Sequence, residues 1–414
     1  MKRLIVRRAG GICLRAGRAH CSIVAETTNR MRITEVETFI VGSDWRNFTI
    51  CRLHTDTGLT GLGESRIPNH PHALEAYARA ASRHVIGRDP FDIESLVLRM
   101  RRDDYSRPGE IMSSGIAIFE MACWDIVGKA LQQPVYRLLG GKVRDRIRAY
   151  ANGWYRVERT PEQFHAAAKA VAARGYTALK FDPFGPGYYE IDVAARRRVV
   201  ALVEAVRDAI GPDVEILLEM HGRFSPVQAV QIVKLLEPFG LGWIEEPVPP
   251  ENLAALRSVR EQLSGVTIAT GERIHARHEF RELFDLRAAD VIQFDVTHIG
   301  GLLESKKLAA QADVHYVTIA PHNVGGQIST AANLHLAACT TNFRVQEYFN
   351  DFADPWVKET ARGVPDVVDG YFALPTAPGL GVELDEAVCA AHPCGTTHFN
   401  LFTEGWEKRE GVKG

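Results

Sequence analysis

The chain is 414 residues long, carries a formal net charge of −2, and 46% of its residues are hydrophobic. That length accommodates two domains and a large core, and the near-neutral charge offers no basic excess for nucleic acid or an anionic membrane. No run of about 18 apolar residues stands out, so no transmembrane helix is expected and a cytoplasmic protein is.

The first 30 residues are distinct. Lys2, Arg3, Arg7, Arg8, Arg15, Arg18 and Arg30 stand against a single acid, Glu26. Such a basic, acid-poor segment reads either as a transit peptide or as residues upstream of a true start at Met31. In both cases a poorly ordered extension is expected. The cysteines, Cys13, Cys21, Cys51, Cys123, Cys339, Cys389 and Cys394, are odd in number and form no CxxC pair. They read as scattered buried thiols of a reducing compartment.

From Met31 the pattern is that of strands. Arg32–Val41 and Phe48–Thr55 alternate apolar and polar residues around a loop at Gly42–Asn47. A turn at Thr57–Gly61 leads to a third short strand ending near Glu64. Helical periodicity follows over His72–Ile86, Ile93–Arg101 and Ser114–Leu131. Residues 31–145 thus read as an α+β unit.

The rhythm changes near Arg146. Strands are predicted at Arg148–Asn152, Tyr176–Phe181, Glu215–Leu218, Trp243–Ile244, Thr267–Ala269, Val291–Phe294, Val317–Ile319 and Phe343–Val345. Helical stretches separate them, among them Pro161–Ala173 with Thr160 as N-cap and Ile191–Ile210. Continuous βα alternation over 146–350 implies a closed parallel barrel. Residues 351–414 are rich in loops, Pro and Gly, and are expected to pack back onto the N-terminal unit.

Ionisable residues end many of the barrel's apolar runs. Glu219, Glu245, Glu272, Asp295, His322 and Glu347 recur every 23–27 residues, about the length of one βα unit. At the C-terminal ends of parallel strands they would converge on one barrel mouth. Three carboxylates in a pocket need a cation, and the hard oxygens of Glu219, Glu245 and Glu272 favour Mg2+. Asp295 can orient His322 as a general base. His315 and His335, by contrast, read as structural. His221, two residues beyond Glu219, would share its face of an extended strand and act as a general acid or as a carboxylate's partner. Lys180 would either neutralise a substrate carboxylate or pair with Asp182 or a glutamate. Glu347, if held protonated, could hydrogen-bond a developing enolate. Together these groups fit proton abstraction beside a carboxylate, followed by loss of water if the next carbon bears a hydroxyl.

These residues, with Lys180-Phe181-Asp182, Glu245-Glu246-Pro247, Gly271-Glu272-Arg273, Ala122–Lys129, Leu138–Gly141 and Pro378–Gly381, resemble the enolase superfamily in its mandelate racemase branch. The resemblance spans about 31–390. It implies an α/β fold, a modified TIM barrel of (β/α)7β type with an α+β capping domain, together with Mg2+ and often an octamer. It also implies substrate selection by the Gly42–Asn47 and Arg66–His72 loops, with Asp44, Trp45, Arg46, Asn69 and His70 as contacts. Asn152 and Asp182 complete the expected substrate-binding set.

Two departures from the family pattern are informative. Racemases of the branch carry a second lysine where Asp182 stands, so racemisation with a base on each face is disfavoured. Glu219 replaces the shorter aspartate common at the first ligand position. The pair His221 and His322 resembles the acid-sugar dehydratases acting on galactonate and gluconate. The expectation is therefore a Mg2+-dependent hydro-lyase making a 2-keto-3-deoxy acid from a sugar acid. A sugar-lactone cycloisomerase or epimerase, and a barrel kept as a non-catalytic binding protein, are the alternatives.

Overall fold

A computed structural model of the chain describes residues 30–43, 45–103, 105, 109–408 and 412–413. The expectation of a poorly ordered extension and the candidate Asp44 lie outside the described residues.

Three antiparallel strands open the described chain: β1 (Ile33–Gly42), β2 (Asn47–Thr55) and β3 (Thr60–Ser65), paired in sequence order. Helices α1 (Pro71–Ala81) and α3 (Glu110–Ala130) pack on this sheet, and α2 (Ile93–Asp103) packs on α3. The first of them stops short of the predicted Ile86. The Ser82 hydroxyl donates to Arg79 O at 2.8 Å, competing with the helical ladder, and the chain tightens into a 3-10 turn. α3 is long and apolar enough to cross a membrane, yet 83% of its most apolar window is buried inside the protein. It is a core helix, pressed against β3. A Cβ on Gly63 would lie 1.9 Å from Ile118 O, and one on Gly61 would lie 2.0 Å from Ala122 O. Only residues without a side chain permit that approach.

After the short α4 (Val135–Leu138) the barrel begins. Its strands are β4 (Arg146–Ala151), β5 (Ala178–Phe181), β6 (Glu215–Glu219), β7 (Leu241–Glu245), β8 (Ile268–Thr270), β9 (Val291–Ile292), β10 (Thr318–Ile319) and β11 (Gln346–Tyr348). Between them run α5 (Pro161–Ala173), α6 (Val193–Ile210), α7 (Pro226–Leu236), α8 (Leu253–Gln262), α9 (Phe280–Asp285), α10 (Leu302–Val314) and α11 (Gln327–Cys339). Neighbouring strands from β4 to β10 are parallel, and β11 pairs with β4 in parallel, so the sheet curls on itself. A bridge from Ile319 to Phe343 joins the two ends. This is the (β/α)7β barrel. The predicted eighth strand sits three residues early because Phe343 belongs to that closing bridge, while the ladder to β4 is made by Gln346–Tyr348.

α5 starts as predicted, with Thr160 accepting from Gln163 N at 3.3 Å and Pro161 at the first helical position. Inside the barrel one side chain from each strand, or from the residue next to its end, fills the axis. Tyr150, Ala178, Leu217, Trp243, Ala269, Val291, Ala320 and Val345 form one buried cluster. Tyr150 and Trp243 meet edge to face at 5.5 Å. Below this plug Arg148 and Arg344 both pair with Glu215, at 2.6 and 2.9 Å.

Cap and barrel are fastened by buried carboxylates. Glu120 of α3 accepts from Leu302 N and Leu303 N, both at 2.8 Å, at the start of α10. Glu64 of β3 accepts from Gly326 N, Ile328 N and Ser329 N at the start of α11. Each carboxylate meets helix-terminal N–H groups that have no partner within the helix. The segment after β11 touches both parts. Tyr371–Ala373 pairs antiparallel with β4, while Gly42 N donates to His392 O at 3.0 Å and Leu380 N to Asp125 at 2.8 Å. His315 stacks on Phe284, and fully buried His335 has both ring nitrogens engaged, by Tyr136 N and Leu380 O. Of the cysteines, Cys51, Cys123, Cys339 and Cys389 are buried free thiols and Cys394 is half-buried.

Candidate active site

A cavity of about 690 Å3 opens at the C-terminal ends of the barrel strands. Parallel register brings its floor together. Glu219 and Glu245 are partners across the β6–β7 ladder, and Glu272 follows β8 by two residues. One oxygen from each lies within 4.8 Å of the others. Opposite corners of a Mg2+ octahedron are about 4.2 Å apart, so small side-chain adjustments would let all three share one ion. Lys180, on β5, reaches Glu245 at 2.7 Å, Glu347 at 3.1 Å and Glu219 at 3.4 Å. It is therefore an ammonium embedded among carboxylates. Burial alone would lower its pKa, but Glu245, Glu347, Tyr150 and Glu219 hold it well above the ordinary lysine value.

One ammonium does not balance this charge. Burial, and then the charge of Glu219, push the Glu245 carboxyl well above its usual value. A buried pair of this kind holds two charges only with a cation between them. The donor set therefore fits a hard divalent ion.

Two imidazoles flank the glutamates. His322 Nδ1 is 2.7 Å from Asp295 Oδ2, and its Nε2 is 3.5 Å from Glu272 Oε2. A backbone bridge between Asp295 and His322 sets their register. Asp295 is held in turn by the N–H and hydroxyl of Thr297, each at 2.7 Å. Burial would lower the His322 pKa, but Glu272, Asp295 and Glu347 outweigh it and push it up to about 9.

His221 reaches the cavity by a different route from the one the sequence suggested. It does not continue an extended strand. β6 ends at Glu219, and His221 adopts φ +49°, the left-handed region uncommon for a residue with a side chain. The turn is fixed on both sides: His221 N donates to Glu219 Oε1 at 2.6 Å, and Arg273 donates to His221 O at 3.0 Å. Its Nδ1 lies 2.6 Å from Asp182 Oδ2. Backbone strain at a cavity wall, held by a buried network, marks a functional position.

Several expected contacts stand elsewhere. Asp182 is fully buried and off the cavity wall, held by His221, Arg223 and Phe184 N. Its link to the cavity runs through His221 Nδ1. Arg46 is also buried, donating to Val324 O and to Asn350, with its guanidinium against the rings of Trp45 and Phe349. Asn69 does not line the cavity; it clamps Phe399 through both main-chain groups, at 3.0 and 3.2 Å. His70 is exposed at the start of α1. Glu347 is buried behind Lys180. Burial favours its protonated form, but Lys180, His322, Asn323 N and Asn152 outweigh that and lower its pKa. The neighbours of Glu347 thus favour its charged form, with Asn152 and Asn323 N donating to its two oxygens. Trp45 and Asn152 do line the cavity, Asn152 also donating to Glu347 at 2.7 Å.

Sequence reasoning missed Arg223, which carries no strand-end signal, and the C-terminal residues Phe399, Leu401 and Phe402, which help line the cavity. It also missed Glu246, buried at φ +41° and paired with Arg273 at 3.2 Å. The Gly271-Glu272-Arg273 motif was the available signal for that pair.

Known proteins place this geometry. Residues 163–388 match the family described as enolase C-terminal domain-like, and residues 22–140 match the mandelate racemase/muconate lactonizing enzyme N-terminal domain. The chain is 37% identical to a D-gluconate dehydratase of Thermoproteus tenax, over 83% of this chain and 69% of that protein. It is 35% identical to a D-galactonate dehydratase of Ralstonia pickettii, over 86% of this chain and 93% of that protein. A crystal structure of a mandelate racemase/muconate lactonizing enzyme from a Jannaschia species superposes with a TM-score of 0.83 at 35% identity, covering 88% of this chain and 98% of that one. With fold, strand-end carboxylates and relatives in agreement, the chain belongs to the mandelate racemase/muconate lactonizing enzyme branch of the enolase superfamily.

Proposed function

We propose that this carbon–oxygen lyase dehydrates a sugar acid, an aldonate such as D-galactonate or D-gluconate, to a 2-keto-3-deoxy acid by way of an enediolate. The observation that carries the reading is the pair of cavity-lining imidazoles, each clamped at Nδ1 by its own buried carboxylate, at 2.7 Å for His322 and 2.6 Å for His221. In each ring Nε2 is the nitrogen that this carboxylate does not hold. A proton acceptor and a proton donor in one cavity suit removal of a hydrogen and a hydroxyl from adjacent carbons.

Mg2+ is the proposed cofactor, held by Glu219, Glu245 and Glu272; when bound, it draws charge from the substrate carboxylate and acidifies the α-hydrogen. His322 Nε2 takes that hydrogen as a proton, and Asp295 stabilises the imidazolium through Nδ1. Lys180, on the cavity floor, stabilises negative charge gathering on the carboxylate oxygens. The C3–O bond then breaks, His221 gives its proton to the departing hydroxyl, and water leaves. The enol that remains becomes the 2-keto acid. Asp182 lies beneath His221 and off the cavity wall. It is therefore not positioned as a second base, which argues against a two-base epimerase. Intact acid, base and ligand sets argue against a non-catalytic barrel.

The test is a panel of aldonates and sugar lactones incubated with protein stripped by chelator, with and without added Mg2+, and followed by proton NMR. A new C3 methylene signal that requires Mg2+ is expected. Lactone consumption without a methylene signal would point to the cycloisomerase, and no reaction across the panel would overturn the proposal.

A further inference from the structure

His221 is steered by more than Asp182. The loop after β5 runs from Asp182 to Gly185, and its Gly185 carbonyl accepts from two donors, Arg223 Nη1 and Trp406 Nε1, the latter at 3.0 Å. The same Arg223 donates through Nη2 to Asp182 Oδ2, the oxygen that holds His221 Nδ1. The Trp406 ring meets the imidazole of His221 at 90°, with centroids 5.5 Å apart. Trp406 is 5% exposed and does not line the cavity. It stands behind His221 and touches both the ring and the loop that anchors it. Its other side leans on Phe399, at 5.9 Å, which Asn69 clamps to the cap.

We propose that Trp406, far along the chain from the barrel strands, is a positioning residue for the acid imidazole. The hydrogen bond to Gly185 fixes the loop that presents Asp182, and the aromatic face limits how far the His221 ring can tilt about its Asp182 bond. Its contacts with Gly185, His221 and Arg223 bear on the His221 ring and its anchor, and none of the three is a partner of His322 or Asp295, so it should govern water loss and leave proton abstraction by His322 alone. The inference rests on the reading of His221 as the acid.

The experiment compares wild type, Trp406→Ala and Trp406→Phe in Mg2+. Two rates are read on one aldonate: exchange of the α-hydrogen with solvent deuterium, and formation of 2-keto acid. Misplacement of a catalytic group by about 1 Å costs on the order of 100-fold, so in Trp406→Ala product formation should fall 10- to 100-fold, with exchange and KM close to wild type. Trp406→Phe, which keeps the ring and loses the donor, should recover part of the rate. A third readout needs no turnover: with 13C-histidine labelling, the His221 ring signal (identified by its loss in His221→Asn) should shift in Trp406→Ala. An unchanged His221 signal, or both rates falling in the same proportion, would overturn the inference. If wild type forms no 2-keto acid, the dehydratase reading fails, and the His221 signal still decides whether Trp406 holds the ring.

Discussion

Replacing Asp182 by asparagine removes one charge and keeps the shape, and its consequences can be worked from the contacts. The carboxylate is fully buried and accepts from three donors: His221 Nδ1 at 2.6 Å, Phe184 N at 2.8 Å, and Arg223 Nη2. Burial alone would raise its pKa, but Arg223 and then His221 outweigh it, so the native group is ionised. An amide has one accepting oxygen. Turned toward Arg223 and His221, it sets its NH2 against the Phe184 N–H; flipped, it sets that NH2 against two donors. Breaking a buried ion pair from one side costs about 3–5 kcal/mol, and with the shape kept a loss near the lower end is expected. The melting temperature should fall by on the order of 5 °C. At the site, His221 loses the acceptor that fixes its tautomer, and the acid's contribution of about 100- to 10,000-fold is at risk. Product formation from an aldonate, read by 2-keto acid assay, should fall at least about 100-fold, while deuterium exchange at the α-carbon persists. Asp182→Asn protein that is stable and forms product at the wild-type rate would refute both the orienting role of Asp182 and the acid role of His221.

Other outcomes follow from the same contacts. His322 must be neutral at Nε2 to accept a proton, so α-hydrogen exchange should rise with pH and level off once the ring is deprotonated. Its pKa is pushed up to about 9 largely by Glu272, and a cation on that carboxylate relieves the push. Saturating Mg2+ should therefore move the midpoint of the pH–rate curve below 9; a rate that falls as pH climbs from 6 to 9 would contradict the base assignment. Gly63→Ala places a Cβ 1.9 Å from Ile118 O on the core helix, an overpacking expected to cost about 3 kcal/mol in a thermal or denaturant melt. Gly58→Ala, where nothing lies within 4 Å at φ +83°, should cost only about 1 kcal/mol.

What could be read from the chain followed the physics of strands. Glu219, Glu245, Glu272, Asp295 and His322 were legible because βα units have a nearly constant length, so chemistry at strand ends recurs at a fixed interval. The barrel class, the caps and most strands were legible for the same reason. His221 was found for an incorrect reason: its left-handed turn is imposed by Glu219 and Arg273, contacts that no local pattern encodes. Arg46, Asn69 and Asp182 sit beside cavity residues in sequence but turn their polar groups into the protein, because each answers a long-range partner. For Glu347 the surrounding acids suggest a proton, whereas Lys180 and the Asn323 N–H favour the charged form, and neither contact is visible in the local sequence. The C-terminal wall was invisible because loop segments carry no periodicity from which to infer their destination.

The fastenings made by Glu64 and Glu120 have a consequence for how the binding pocket can diversify. Both grip helices that follow the strands leading to Asp295 and His322, so the roof is bolted to the barrel directly behind the base. Loops on the remaining rim can be rebuilt for a sugar of different stereochemistry while the proton-abstracting corner stays registered with the roof. The proton-abstracting corner is thus the part of the mouth least free to shift against the cap.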